Sequence, residues 1–301
     1  MPELPEVETI RRALVEPLTG RRILLAELRL PRLLLGFPAA DFSAKLKGQK
    51  IRAVIRRGKY LVLELDKYAL IVHLGMTGQL TAASRDATEN PNFHKTVTGL
   101  QKPVGVHPVD KHTHLILHLD QGGRLLFRDP RTFGKLVLVP GHKWREHPRL
   151  SKLGPEPLEM KIAEVVPTFP KDSIRPVKAL LLDQEFLAGV GNIYADEALF
   201  LAGIHPRRKV KTLKPAEKTV LLKAVQSVLR KGIKYQGTTF SDYRKPDGGK
   251  GGNYERLMVY GRGGMPCRIC GTTLHKTVVA QRGTVFCPLC QPLASPRKKP
   301  V

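Results

Sequence analysis

The four cysteines constrain the folding of this 301-residue chain more than any other feature. They fall in two pairs, Cys267-x2-Cys270 and Cys287-x2-Cys290, with 16 residues between the pairs. Each two-residue gap lets a tight turn aim two thiolates at one ion, so the pattern predicts a four-thiolate zinc site. Four protein ligands leave no open position, which makes that zinc structural. Two disulfides are the alternative, but nothing in the chain indicates secretion. Gly271 and Gly283 suit the turns. Residues 274–286 alternate enough to predict a β-hairpin, with Arg282 near its tip and aimed outward.

The charge narrows the partner. Against 26 Asp and Glu stand 51 Lys and Arg, a net +25. Such an excess points to a polyanion, and nucleic acid fits better than a membrane because no basic amphipathic helix stands out. A generally basic, solvated surface is the plainer account. From Arg256 onward there are eight Lys and Arg and no Asp or Glu. No apolar run approaches the ~20 residues of a membrane span, and the acidic, proline-bearing start is not a signal peptide.

Length and an apolar content of 42% suit two cored domains. Val7, Ile10 and Leu14 predict a helix over 5–15, stopped by Pro17 and Gly20. Short apolar runs follow at 23–30, 51–55, 60–65, 70–74, 114–119, 124–127 and 135–139. Many strands without intervening helices predict a β-sandwich or barrel, with the first helix packed against it. Residues 82–110 are polar and read as a long loop. Past a linker rich in proline and charge, helices are expected at 175–184, at 192–202, and from Pro215 to just before Gly237. Residues 237–254 are Gly-rich and read as a mobile loop. The chain is thus α+β. It divides into a domain at 1–140, a linker at 141–170, a helical domain with the Gly-rich loop at 171–258, a zinc module at 259–291 and a basic tail at 292–301.

Some residues carry possible chemistry. Removal of Met1 would leave Pro2 with a secondary amine, and Glu3, Glu6 and Glu8 follow closely. An α-amino group titrates near ~8, so much of it can be neutral and nucleophilic at physiological pH. An amine beside a carboxylic acid is the equipment for Schiff-base chemistry. The plainer account has Pro5 as the first helical residue, with acids suiting the helix dipole. Gly189-Val190-Gly191-Asn192 lacks the third glycine and the preceding strand of a dinucleotide site. It predicts a helix opened by Asn192 as N-cap, whose amides could bind one phosphate, or a simple helix–turn–helix corner. Lys59 reads as an exposed hairpin lysine, Met76 and Phe133 as core, and His112 with His114 as conceivable strand-borne ligands.

Taken together, these strings resemble one family. The opening Met1-Pro2-Glu3-Leu4-Pro5-Glu6-Val7-Glu8 is similar to the start of the formamidopyrimidine-DNA glycosylases, bacterial base-excision repair enzymes. So are Lys111-His112-x-His114, 73–78, 128–134, 189–197 and Gln281-Arg282-x-Thr284-x-Phe286-Cys287. The resemblance implies a glycosylase and abasic-site lyase acting on duplex DNA with an oxidised purine, with one structural zinc on Cys267, Cys270, Cys287 and Cys290. It implies Pro2 as nucleophile, Glu3 as general acid/base, Lys59 as a catalytic lysine and Glu6 as an assistant or helix cap. Met76, Arg131 and Phe133 would fill the gap left by an extruded base. His112, Lys178, Asn192 and Arg282 would meet phosphate. Residues 237–254 are the candidate for lesion recognition on their composition, because a Gly-rich mobile segment can close over an extruded base. The expected setting is a cytoplasmic, nucleoid-associated monomer with no membrane contact. Two other readings stay open: an endonuclease VIII-like enzyme for oxidised pyrimidines, and a non-catalytic zinc-hairpin DNA-binding protein.

Overall fold

The computed structural model describes residues 1–84, 109–239, 243 and 249–293. Most of the expected 82–110 loop, the centre of the Gly-rich loop and the basic tail lie outside them. The fold has two compact units. The first comprises Met1–Ser151 and Tyr235–Gly252; the second comprises Lys152–Lys234 and the chain from Asn253 onward.

The first unit opens with helix α1 (Leu4–Leu18), strand β1 (Ile23–Leu28) and helix α2 (Ala39–Leu46). Strands β2 (Ile51–Arg57), β3 (Tyr60–Leu65), β4 (Tyr68–His73), β5 (Gln79–Ser84), β6 (Thr113–Leu119), β7 (Gly123–Arg128) and β8 (Lys135–Pro140) follow. They form two antiparallel four-stranded sheets, ordered β1-β6-β7-β5 and β2-β3-β4-β8. Period-2 alternation sends Leu61, Leu63 and Leu65 of one sheet and Leu115, Leu117 and Leu119 of the other into a shared core. Val7, Ile10 and Leu14 of α1 enter the same core at helical spacing. Full burial of one such side chain contributes about 1.5–3 kcal/mol.

This β-sandwich with a packed N-terminal helix is the expected architecture, but two elements differ from expectation. Strand β5 runs into the expected loop, and its sequence hides it because Leu80 is its only large apolar residue. It exists because its whole length pairs with β7, from Gln79↔Arg128 to Ser84↔Gly123. Helix α2 is too short for a periodic signal and is fixed by burying Phe42 and Leu46.

The second unit contains helices α3 (Val177–Leu182), α4 (Asn192–Leu201) and α5 (Pro215–Lys234), then a hairpin of β9 (His275–Val279) and β10 (Arg282–Phe286). A small core of Phe200, Val259, Leu274, Cys267 and Cys287 seats the cysteine module on α4. The Gly-rich segment divides differently from the sequence reading. Its described residues 235–239, 243 and 249–252 belong with the first unit, where Tyr243 is 8% exposed and joins the sandwich core. Among the described residues no helix is long and apolar enough to cross a membrane.

Candidate active site and nucleic-acid interface

The start of α1 is built from its own acids. Glu3 is the N-cap, in extended backbone (φ −104, ψ −173), and Pro2 stands just ahead of it, buried. The Glu6 carboxylate accepts the Glu3 backbone N–H at 2.9 Å, one half of a capping box. That bond fixes the peptide plane joining Pro2 to Glu3, and with it the Pro2 ring. The other Glu6 oxygen accepts the Thr238 backbone N–H at 2.8 Å. Glu6 itself is 1% exposed.

Glu8 holds a second neighbour. It accepts bonds from Arg11 (2.9 Å), Arg12 (2.8 Å) and Arg56 (3.2 Å). Burial pushes its carboxyl up, but these arginines outweigh burial and hold it at about 2. Arg56 also donates to the Gly58 carbonyl at 3.2 Å. The two-residue turn Gly58-Lys59, with Gly58 at φ +56, is thereby tied to α1. Lys59 does not project into solvent as the sequence suggested; it is 7% exposed. Beside it, burial and then the Lys59 and Arg149 charges depress His73 to about 4. Its Nδ1 accepts the Gly75 N–H at 3.2 Å.

Met76, Arg131 and Phe133 form one exposed cluster. Met76 and Phe133 are 38% and 49% exposed, so the core reading of these two is corrected. The Arg131 guanidinium lies 4.7 Å from the Phe133 ring centre. Asp129, fully buried, organises both turns: it accepts Thr77 Oγ1–H and, at 2.7 Å, the Gly134 N–H. Thr77 Oγ1 in turn accepts the Arg131 N–H at 3.3 Å. A Cβ at Gly75 would meet Gly134 N at 2.7 Å, so only glycine lets the two turns touch. His112 is half-buried, with its backbone between Asp110 and Asp129. His114 bonds the Asp129 carbonyl at 2.9 Å.

In the second unit Gly191, not Asn192, is the N-cap of α4. Asn192 is the first helical residue, and its amide donates to the Gly283 carbonyl at 2.9 Å. Gly283 is therefore no turn glycine of the cysteine site; it lies in β10 as an acceptor. Lys178 also departs from expectation, because none of it reaches solvent. Its ammonium lies 2.6 Å from Asp196 and donates to Thr284 Oγ1 at 2.7 Å and the Gly283 carbonyl at 3.2 Å. Burial pushes the Asp196 carboxyl up to about 7, against the pull of Lys178 and the Val285 N–H. Ala280 and Gln281, at φ +51 and +58, form the two-residue turn that delivers exposed Arg282 to the hairpin tip. Glu197, raised by burial, accepts N–H groups of Met258, Val259 and Tyr260 within 2.8–3.1 Å and fastens the cysteine module to α4.

All four Sγ atoms lie within 4.8 Å of one another, with 3.5 Å between Cys270 and Cys287 and 3.9 Å between Cys267 and Cys290. Tetrahedral zinc with Zn–S of ~2.3 Å requires sulfurs about 3.8 Å apart. Backbone N–H groups of Ile269 and Cys290 point at Cys267 and Cys287 sulfur, and Gly271 turns the chain at φ +75. The residues fit one structural zinc.

Three family descriptions match in succession: "Formamidopyrimidine-DNA glycosylase N-terminal domain" over 1–136, "Formamidopyrimidine-DNA glycosylase H2TH domain" over 153–244, and "Zinc finger found in FPG and IleRS" over 264–293. The chain belongs to the formamidopyrimidine-DNA glycosylase family. It is 42% identical to the enzyme of Symbiobacterium thermophilum, covering 97% of this chain and 90% of that one. It is equally identical to that of Heliobacterium modesticaldum, covering 97% and 100%. A point mutant of the Lactococcus lactis FPG, solved with DNA containing Fapy-dG, superposes with a TM-score of 0.84 at 34% identity over 97% of this chain and 100% of that one. The L. lactis complex with abasic-site DNA gives 0.83 at 34%, covering 96% and 99%. This family's enzymes are DNA glycosylases with abasic-site lyase activity.

Sequence reasoning missed Asp129, Thr77, Asp196, Glu197 and Arg56. Each bonds a partner remote in the chain. Thr77 and Asp129 sit in or beside glycine-bearing turns, Asp196 and Glu197 in an apolar helix and Arg56 in a strand, so none carries a distinctive local sign.

Proposed function

We propose that this chain removes oxidised purines, 8-oxoguanine and formamidopyrimidines, from duplex DNA and then cuts the strand, with Pro2 as nucleophile. The observation that carries the assignment is the buried Pro2–Glu3 terminus, whose peptide plane is fixed by Glu6 in a chain of this family. Met1 is half exposed, open to removal, and its loss frees the Pro2 nitrogen.

The Pro2 nitrogen attacks the sugar C1′, and the bond to the base breaks with its electron pair leaving on the base, which takes a proton. Glu3 protonates the ring oxygen, the sugar opens, and nitrogen lone-pair donation gives an iminium at C1′. The iminium acidifies C2′; loss of that proton expels the 3′ phosphate, and a second elimination expels the 5′ phosphate. Lys59, tied to α1 through Arg56, supplies positive charge near the flipped nucleotide. Met76, Arg131 and Phe133 enter the gap it leaves, and the exposed cluster suits a wedge. Asn192, Arg282 and His112 meet phosphate. Lys178, being buried, acts by holding the Gly283–Thr284 backbone beneath Arg282. The charge of +25 supports a nucleoid-associated setting.

The test is borohydride trapping on duplex containing 8-oxoguanine opposite cytosine, with Pro2→Gly and Glu3→Gln alongside. The expected result is an adduct mapped to Pro2 and lost or sharply reduced in both variants. An adduct at any other residue would overturn the assignment. A wild-type L. lactis complex with DNA containing an oxidised pyrimidine, matched at 34% identity and a TM-score of 0.82, favours placing pyrimidine lesions in the same panel.

A further inference from the structure

Glu6 has more contacts than a helix cap needs. Its two carboxylate oxygens serve different parts of the first unit, one the Glu3 N–H and the other the Thr238 N–H, 232 residues away in sequence. Thr238 is 2% exposed, so the second bond is sealed from water. The surrounding backbone is shaped for it. Gln236 and Gly237 both take left-handed φ, +58 and +85. A Cβ at Gly237 would come within 2.8 Å of the Tyr243 ring and 3.0 Å of Glu6 Cγ. Only glycine lets the chain pass this close.

The far leg of the segment is stapled to the same place. Thr238 bridges Gly252, Gly252 N–H donates to the Tyr235 carbonyl at 2.9 Å, and Gly251 N–H donates to Thr239 Oγ1 at 2.8 Å. Tyr243 OH donates to the Gln236 carbonyl at 3.2 Å while its ring enters the sandwich core. A neutral side chain would suffice to satisfy one backbone N–H. A buried carboxylate is costly unless both oxygens are used, and here both are.

We infer that Glu6 is a positioning residue that couples the seating of residues 235–239, with 251 and 252 paired to them, to the placement of the Pro2 amine. The inference rests on the glycosylase reading above and deepens it. Glu6 gives up no proton in the reaction. It makes the seated segment and the aimed amine one state, so recognition of the base is read out at the nucleophile. An abasic site has no base to recognise and should depend far less on the Thr238 bond.

Single-turnover rates would be measured for release of 8-oxoguanine and for cleavage of a preformed abasic site, in wild type, Glu6→Gln, Thr238→Pro and the double variant. Thr238→Pro deletes the N–H and leaves the Glu3 bond in place. Base release should fall about tenfold or more, the scale of a lost charge-assisted hydrogen bond, while abasic-site cleavage falls less than about threefold. Glu6→Gln should slow both reactions. Adding Thr238→Pro to it should change base release less than about twofold, because the single glutamine oxygen stays with the Glu3 N–H of its own helix turn and the Thr238 bond is already gone. Multiplicative effects in the double variant would overturn the coupling, as would equal loss of both reactions in Thr238→Pro. Exchange of the Thr238 amide in Glu6→Gln provides a check independent of the proline variant: faster exchange supports the bond, and unchanged exchange sinks it. A wild-type protein lacking both reactions would instead refute the glycosylase reading, and this inference with it.

Discussion

Buried carboxylates anchor both units, but Glu8 in the first and Asp196 in the second are pushed in opposite directions. In the first unit buried carboxylates are surrounded by donors: Glu6 by two backbone N–H groups, Asp129 by Thr77 and Gly134, Glu8 by three arginines. Glu8 sits at about 2, firmly ionised. In the second unit burial wins, raising Asp196 to about 7 and lifting Glu197 as well. On the proposed reaction the first unit holds an amine and its acid in one geometry, and hydrogen bonds to backbone are directional enough for that. The second must hold a hairpin tip and a helix N-terminus against a polyanion, and it leans on a metal and a buried ion pair. Hydrogen-bond direction serves both units, since Glu197 also accepts three backbone N–H groups, and the second unit adds a metal site and a buried ion pair.

Removing the metal should separate the units most sharply. Four thiolates on zinc contribute on the order of 10–16 kcal/mol to a small module, and the hairpin has only a small apolar core to fall back on. Chelation or Cys287→Ala should abolish tight DNA binding, read by fluorescence anisotropy. The calorimetric transition of the sandwich should persist. Metal-free protein that still binds duplex normally would show that the hairpin stands without zinc.

A smaller effect separates support from contact within the second unit. Lys178→Met takes the nearest cation from the buried Asp196 carboxyl, which must then stay unpaired or take up a proton, at a cost of up to about 3–5 kcal/mol. Replacing both, as Lys178→Met with Asp196→Leu, should recover most of that loss. Arg282→Ala, at an exposed tip, should change stability by less than about 0.5 kcal/mol and lower the salt dependence of DNA binding by about one unit of slope. If Lys178→Met instead changed only the salt slope, Lys178 would be a surface contact after all.

What can be read from sequence divides along the same line. The sandwich is visible because Leu61, Leu63 and Leu65 alternate, and the zinc site because its ligands come in pairs with two residues between them. The proposed Schiff-base terminus is suggested in the sequence by the adjacency of Pro2 and Glu3. Supports are not visible, because their partners are remote: Thr77 finds Asp129 52 residues on, and Lys178 finds Thr284 106 residues on. For the same reason Lys59 and Lys178 read as accessible cations. A lysine's burial is decided by what folds over it, and nothing local to Gly58-Lys59 or Val177-Lys178 records that. Propensity favours Asn192 as the N-cap, yet Gly191 has that place because the asparagine amide is needed at Gly283.

The smallest expected effect tests the electrostatic contrast itself. The Glu8 carboxyl lies at about 2 in the fold against an ordinary 4.5. A group depressed in this way stabilises the fold fully above its unfolded value and loses that contribution as pH falls toward its folded value. The window is therefore from about 4.5 down to about 2. The shift sets a ceiling of about 3 kcal/mol. The exposed Arg12 end of the network is screened, which leaves roughly 1–2 kcal/mol. Wild type should melt above Glu8→Gln at pH 7, and the gap between their sandwich transitions should close as the solution is acidified through that window. Acid also releases zinc thiolates, but it does so in both proteins and cancels in the difference. A gap that is constant with pH would mean that Glu8 acts by packing alone. The Gly58-Lys59 turn would then owe its place to the strand register and not to the charge behind Arg56.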